Sequence, residues 1–414
     1  MKILWITGTA SSKKKSYGGG GWIRSLSSQI VRTAGMELAW AYFYDAVAEP
    51  FESDGVWHYP MYIPAESGSD KIIRYWTGKG QDALEERKLL LMKSVIAQFI
   101  PDIVQVFGTE SNGAPIVGNT DVPVVLYLQG LVNPIYNAYY PIGMTDSVVK
   151  SICMDKNEWV LHNGIVYRHQ ELKRLAERER EIFARVRYVI GRTHFDYQVS
   201  RLYAPQSRYF KLNEAMRSSF YCAEKWEKKR NATYRILSTM SSVNYKGIDV
   251  VLKAAKILCD SNVKFEWRIA GVSNPSKILH LFERFTGIKA LDVNVRCLGV
   301  VSEVELKNLL LDSDVYVHPS YIDNSPNSVG EAQLLGVPVI ACNVGGVSDF
   351  VKDGETGRLV PANDPYNLVY LLIQDMQDPY LFQYSDKARE DALKCHDAEA
   401  IFRDLCNIYN DILA

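Results

Sequence analysis

Along the chain, short runs of β-branched and other apolar residues alternate with longer stretches whose apolar positions recur every three or four residues. The short runs are Ile3 to Thr7, Ile103 to Phe107, Val124 to Leu128, Arg187 to Gly191, Ile236 to Thr239, Phe265 to Ala270, Val315 to His318 and Val339 to Ala341. Runs that are apolar on both faces and separated by helices predict parallel strands of doubly wound sheets. The strands fall into two sets, and 414 residues are comfortable for two domains. The irregular, charge-ending interval from Tyr203 to Lys229 reads as the linker between them. The expected division is a first domain over residues 1–205 and a second over 206–397, with a last helix at about 398–414 packing back on the first. That helix carries Ile401, Phe402, Leu405, Ile408, Tyr409 and Ile412 on one stripe.

Local signals place several helix starts. Ser302 followed three residues on by Glu305 reads as a capping box, and Gly247 opens the periodic stretch IDVVLKAAKIL. The segment Gln170 to Arg185 mixes acids and bases at helical spacing, which predicts a solvated helix.

Composition narrows the function classes. Lys and Arg total 47 against 48 acidic residues, which argues against coating nucleic acid. Seven cysteines at 153, 222, 259, 297, 342, 395 and 406 show no C-x-x-C spacing, so neither a disulfide framework nor structural zinc is expected. No stretch approaches 18 uninterrupted apolar residues, and MKILWITGTA is too brief for a signal peptide, so a cytoplasmic protein is expected.

The most informative segment is SYIDNSPNSVGEAQLLGVPVIA, where a strand ends at His318 and a small polar loop leads into a helix. Open α/β sheets bind ligands at such carboxyl ends. The loop from Asn324 to Ser328 can offer backbone N–H groups to an anion, with Asp323 at the mouth and Glu331 two turns further in. The expected ligand is a sugar nucleotide, with two acids for hydroxyls and amides for phosphate. Gly18 to Gly21, directly ahead of a helix, form a second expected phosphate contact. Lys246 stands where an ammonium can reach a diphosphate. Gly345 and Gly346 read equally well as a simple turn, and Asp312-Ser313-Asp314 reads as capping rather than a metal pair because it lies at the amino edge. No metal is expected.

These residues resemble the retaining glycosyltransferases of family 4, which have the GT-B architecture of two Rossmann-like domains facing across a cleft. VYVHPSYIDNSPNSVGEAQLLGVPVIACNVGGVSDFVKDGETGRLV looks like that family's E-x7-E signature with its downstream G-G and D-G-x-x-G-x-L-V segments. PDIVQVFGTE, PVVLYLQG, VIGRTHFD, NYKGIDVVLKA and WRIAG follow in the family's order, and the likeness is strongest to bacterial enzymes of capsule, O-antigen and exopolysaccharide synthesis. The resemblance implies that Glu331 bonds ribose hydroxyls and Asp323 faces the donor sugar. Asn324, Ser325, Asn327, Ser328 and Val329 would line the donor, with Ser241 beside it. Lys246 would neutralise the diphosphate, under Gly19, Gly20 and Gly21 of the first domain. Gln129, Glu110 and His318 would lie on the acceptor or sugar side.

The implied reaction moves a hexose from a nucleoside-diphosphate sugar to a saccharide or lipid-linked saccharide acceptor, with retention and without metal or cofactor. Lys13 to Lys15 read first as a solvated loop, with peripheral contact at an inner membrane face as the other reading. Three departures stand out: Asp323 in place of glutamate, shorter by roughly 1.5 Å, Ser241 where an arginine is common, and Gln129 where a histidine is common. They keep a non-catalytic nucleotide-sugar or glycan binding module open as a rival. An NAD-dependent dehydrogenase is a second rival, disfavoured by the poor glycine fingerprint, and a sugar-nucleotide epimerase a third.

Overall fold

The computed structural model describes residues 1–8, 21–65, 67–77, 80–228, 233–377 and 381–414. The chain forms two compact units. The first comprises 1–133, 155–215 and 398–414, and the second 134–154 and 216–397.

The first unit is built on an eight-stranded sheet: β1 (Lys2–Ile6), β2 (Glu37–Tyr44), β3 (Phe51–Ser53), β4 (Val56–Tyr62), β5 (Ile103–Phe107), β6 (Val124–Tyr127), β7 (Tyr188–Gly191) and β8 (Arg208–Lys211). Their order is β3-β4-β2-β1-β5-β6-β7-β8, parallel except for the antiparallel β3–β4 pair. Order reverses between β1 and β5, so the carboxyl end of β1 is a switch point. The expected Gly-rich loop follows that end, but Gly18, Gly19 and Gly20 lie outside the described residues. Gly21 opens the helix Gly21–Arg32.

One face of this sheet is covered by the helix Ala398–Leu413, whose Ile401, Leu405, Ile408, Tyr409 and Ile412 join the core of Ile3, Trp5 and Trp40. Inside that core Trp5 Nε1 donates to the Tyr409 hydroxyl at 3.0 Å, which donates to Gln105 Oε1 at 2.7 Å. The Trp5 indole, the Tyr409 hydroxyl and the Gln105 oxygen thereby satisfy one another, while Gln105 Nε2 and Trp40 Nε1 are left without a partner among the described residues.

The second unit carries a six-stranded parallel sheet, β9 (Tyr234–Thr239), β10 (Phe265–Ala270), β11 (Val295–Gly299), β12 (Val315–His318), β13 (Val339–Cys342) and β14 (Arg358–Val360). The order β11-β10-β9-β12-β13-β14 places its switch point between β9 and β12. The capping box at Ser302 and Glu305 is formed at the start of the helix Glu303–Leu311.

Three features depart from the sequence expectation. The interval read as a linker contains β8, which pairs with β7, so the division falls at 215/216 rather than 205/206. Charged Arg208 and Lys211 at both ends of RYFK disguise it, because an edge strand need not be apolar. Residues 134–154 belong to the second unit, where the helix Asp146–Cys153 packs against the helix Lys277–Thr286. Third, the helix Ile165–Arg185 is not simply solvated, since Leu172, Leu175, Ala176, Glu179, Ile182 and Phe183 are all buried. Among the described residues no helix is long and apolar enough to cross a membrane.

Candidate functional site

The loops after β9, β12 and β13 hold the second unit's chemistry. They are laced together by backbone: Tyr321 N donates to Tyr245 O at 2.8 Å, and Gly346 N donates to Asp323 O at 3.0 Å. Two glycines make this closeness possible. Gly247 has φ +80°, and a Cβ there would overlap the Pro319 carbonyl; Gly345 has φ +54°, and its Cβ would overlap the Asp323 carbonyl. The turn reading of Gly345 thus acquires a specific reason. Gly247→Ala is expected to cost about 1–3 kcal/mol from backbone strain alone, to be read by urea denaturation, and an unchanged midpoint would mean the loops tolerate separation.

Within this frame Lys246 Nζ lies 2.6 Å from Asp323 Oδ2, and His318 Nε2 lies 3.2 Å from the same oxygen. Burial pushes the Asp323 carboxyl up, but the Lys246 ammonium and His318 outweigh it and hold the group well below the usual carboxylate range. Burial acts against the Lys246 charge too, yet its bond to Asp323 raises its pKa overall. Both members therefore stay ionised at neutral pH. Tyr316 lies fully buried alongside, bonded to Thr239 at 2.7 Å and to Ser328.

The helix Asn327–Leu335 starts after Pro326 with no side-chain cap on its first turn. Asn324 is buried and Ser325, Asn327 and Ser328 are half-buried, whereas the Val329 side chain is core, so only its backbone faces the loop chemistry. Ser241 is exposed, its carbonyl accepting from Val243 N. Glu331 is gripped by a residue the sequence reading did not single out: Arg217 Nε and Nη2 meet its two oxygens at 2.7 Å each. Asp312 and Asp314 are engaged elsewhere, Asp312 by Arg235 and Arg268 and Asp314 by the Arg235 amide.

In the first unit, Gln129 follows β6 and donates to Glu214 Oε1 at 3.0 Å, while Glu214 Oε2 pairs with buried Arg192 at 2.9 Å. Glu110 follows β5 and is exposed. Its loop is clamped from the helix Ile165–Arg185 by Arg178 Nη2, which donates to the carbonyls of Thr109, Glu110 and Ser111 at 3.0–3.1 Å. The neighbouring Glu179 is fully buried. It accepts from Thr109 Oγ1 at 2.5 Å, Val132 N and Asn133 N at 2.8 Å, and Asn133 Nδ2 at 2.7 Å. Adjacent residues on one helix thus fasten the loops at the carboxyl ends of β5 and β6. Glu179→Leu orphans several buried donors at about 1–3 kcal/mol each, so a fall in stability of at least about 3 kcal/mol is expected by chemical denaturation. A change below 1 kcal/mol would mean the loops hold without it.

One of these missed residues carried a signal in the sequence. Position 179 is in phase with the apolar stripe 172, 175, 176, 182 and 183, so its carboxylate has to be buried if the stripe is. Arg217 has no such signature in its irregular stretch.

Comparison with known proteins finds a family match over most of the second unit. Residues 223–394, which include Lys246, Asp323 and Glu331, match the family of glycosyl transferases group 1. The WcaL glycosyltransferase of Salmonella typhimurium, named for colanic acid biosynthesis, is 27% identical over 186 residues, 43% of this chain and 45% of its own length. A D-inositol 3-phosphate glycosyltransferase of Streptomyces coelicolor is 35% identical over 130 residues, 29% of this chain and 28% of its own. The chain thus spans under half the length of the curated relatives it matches.

Solved structures extend the likeness along the chain. Sucrose-phosphate synthase from Thermosynechococcus elongatus superposes with TM-score 0.72 at 17% identity, covering 99% of this chain and 98% of that one. Anabaena HepE in complex with UDP-glucose gives 0.62 at 14% identity, covering 99% and 100%. The fold is that of GT-B glycosyltransferases, two parallel-sheet α/β units. The matches favour the transferase reading over a dehydrogenase or a binding module.

Proposed function

We propose that the protein is a retaining, metal-independent glycosyltransferase that moves a hexose from a nucleoside-diphosphate sugar to an acceptor hydroxyl in bacterial surface polysaccharide synthesis, at the cytoplasmic face of the membrane. The observation that carries this reading is the convergence of Lys246, Asp323 and His318 at the switch-point loops of the segment that matches group 1 glycosyltransferases. The name of the WcaL relative and the UDP-glucose bound to HepE support the polysaccharide and donor classes.

In glycosyl transfer, positive charge grows at the anomeric carbon and negative charge on the departing diphosphate. A preformed ammonium at the phosphates stabilises the second charge without reorganising when it appears. Lys246 is held in place by Asp323 for that purpose, and Asp323, fixed as a carboxylate, accepts hydrogen bonds from sugar hydroxyls. With no general base assigned beside Lys246 and Asp323, the leaving phosphate oxygen accepts the acceptor's proton on the front face, which gives retention.

Thermal-shift screening against UDP, GDP and ADP sugars identifies the donor, and release of free nucleotide with a candidate acceptor tests transfer. Retained turnover in EDTA and an α-to-α anomeric outcome by NMR complete the test. Donor binding without nucleotide release would leave a binding module, and inversion or loss of turnover in EDTA would remove the corresponding part of the reading.

A further inference from the structure

The Arg217–Glu331 pair is bidentate. Arg217 comes from the irregular segment that enters the second unit, and its fork meets both oxygens of a carboxylate on the helix Asn327–Leu335. Glu331 is buried, and its side chain is 8% exposed. The guanidinium also stacks over the Phe220 ring at 4.8 Å and lies 3.9 Å from Glu303 Oε2, while Ser219 bonds Glu303 from the same short turn. A carboxylate has about four acceptor positions. The bidentate fork takes two, leaving the others on a rigidly oriented acceptor.

We infer that Arg217 is a positioning residue for the nucleotide site: it holds the Glu331 carboxylate in the plane and charge state in which its remaining lone pairs accept the two ribose hydroxyls of a nucleoside diphosphate. This rests on the transferase reading, in which Glu331 receives the ribose. The chemistry requires such a partner. Burial pushes the Glu331 carboxyl up and nearby Glu303 adds to this, while Arg217 pulls it down. Tyr221, a phenol whose own pKa burial raises to about 12, supplies no cation in place of Arg217, and the His396 ring lies against Gly330, one residue away. A protonated acid would donate one hydrogen bond where the ribose needs two accepted, so losing the fork changes hydroxyl recognition and not simply the fit.

The experiment compares full-length wild type, Arg217→Met and Arg217→Lys by calorimetric titration with UDP, GDP and ADP, and then with the 2′,3′-dideoxy form of whichever binds tightest. Wild type is expected to prefer the ribose form. Arg217→Met is expected to lose at least about tenfold of that preference, and to regain affinity for the ribose form as pH rises from 6 to 9, with its midpoint above that of wild type. Arg217→Lys, which keeps the charge without the fork, is expected to fall between them, and it carries the test if the methionine variant does not fold. An unchanged ribose-to-dideoxy ratio in both variants, or an equal loss for both ligands, reduces Arg217 to scaffold and overturns the inference. A wild type that binds none of the three diphosphates overturns the transferase reading itself. One that binds without sensing the hydroxyls overturns the assignment of Glu331 and the inference together.

Discussion

Lys246→Met is expected to cut turnover at saturating donor by about ten- to a hundredfold, since a charge-assisted hydrogen bond at the departing phosphate is worth about 1.5–3 kcal/mol and each 1.4 kcal/mol is tenfold in rate. The structure adds a second consequence. Lys246 is the ammonium that keeps Asp323 ionised, and its removal leaves a half-buried carboxylate facing His318. Breaking one side of a fully buried pair costs about 3–5 kcal/mol, so a smaller loss and a lower melting temperature are expected as well. Lys246→Met/Asp323→Leu separates the two effects, because removing both charges restores stability while turnover stays low. Asp323 has a depressed folded pKa, so its contribution is complete above the unfolded value of about 4 and disappears as pH falls through the folded one. Lys246 has a raised pKa, so its contribution is complete below about 10 and is lost as pH climbs through the higher folded value. Between those limits stability from the pair is flat in wild type. Turnover of Lys246→Met within tenfold of wild type would remove the ammonium from the mechanism.

Glu331→Gln is expected to act on donor affinity instead. The amide keeps the shape but offers one acceptor oxygen and presents an N–H₂ to the Arg217 fork, leaving that guanidinium half-paired. Losing one charged acceptor contact of about 1.5–3 kcal/mol corresponds to a donor KM higher by about ten- to a hundredfold, with kcat at saturation changed much less. The contrast with Lys246→Met is the informative part: one side chain is expected to move kcat and the other KM. A Glu331→Gln enzyme with wild-type KM would place the ribose elsewhere.

The architecture was readable in the sequence at most of the strands buried on both faces, although β2, equally apolar and buried, was not singled out. β1, β5, β6, β12 and β13 are apolar on both faces and announce themselves. β4 escapes because Pro60 and His58 interrupt its pattern, and β11 because Arg296 and Leu298 point outward from an edge position. At the site, Lys246 and Asp323 lie on loops and His318 ends β12, all fixed by neighbouring strands, so local signals sufficed to bring them to one place. Arg217 and the Arg192–Glu214 pair depend on where an irregular chain returns in space, which no local pattern encodes. Glu179 is the intermediate case. Its phase was legible, but a run rich in Arg and Glu masks the narrow apolar stripe that buries it.

The packing of the helix Ala398–Leu413 bears on how the molecule is made. Strand β1 sits in the middle of its sheet and leaves the ribosome first, yet the surface that shields Ile3 and Trp5 is synthesised only after the whole of residues 134–397. At about 5–20 residues per second, about 20–80 seconds of translation separate the two. During that interval the nascent amino-terminal half carries an unshielded greasy plane, a natural target for holdase chaperones, while the other half is free to mature on its own.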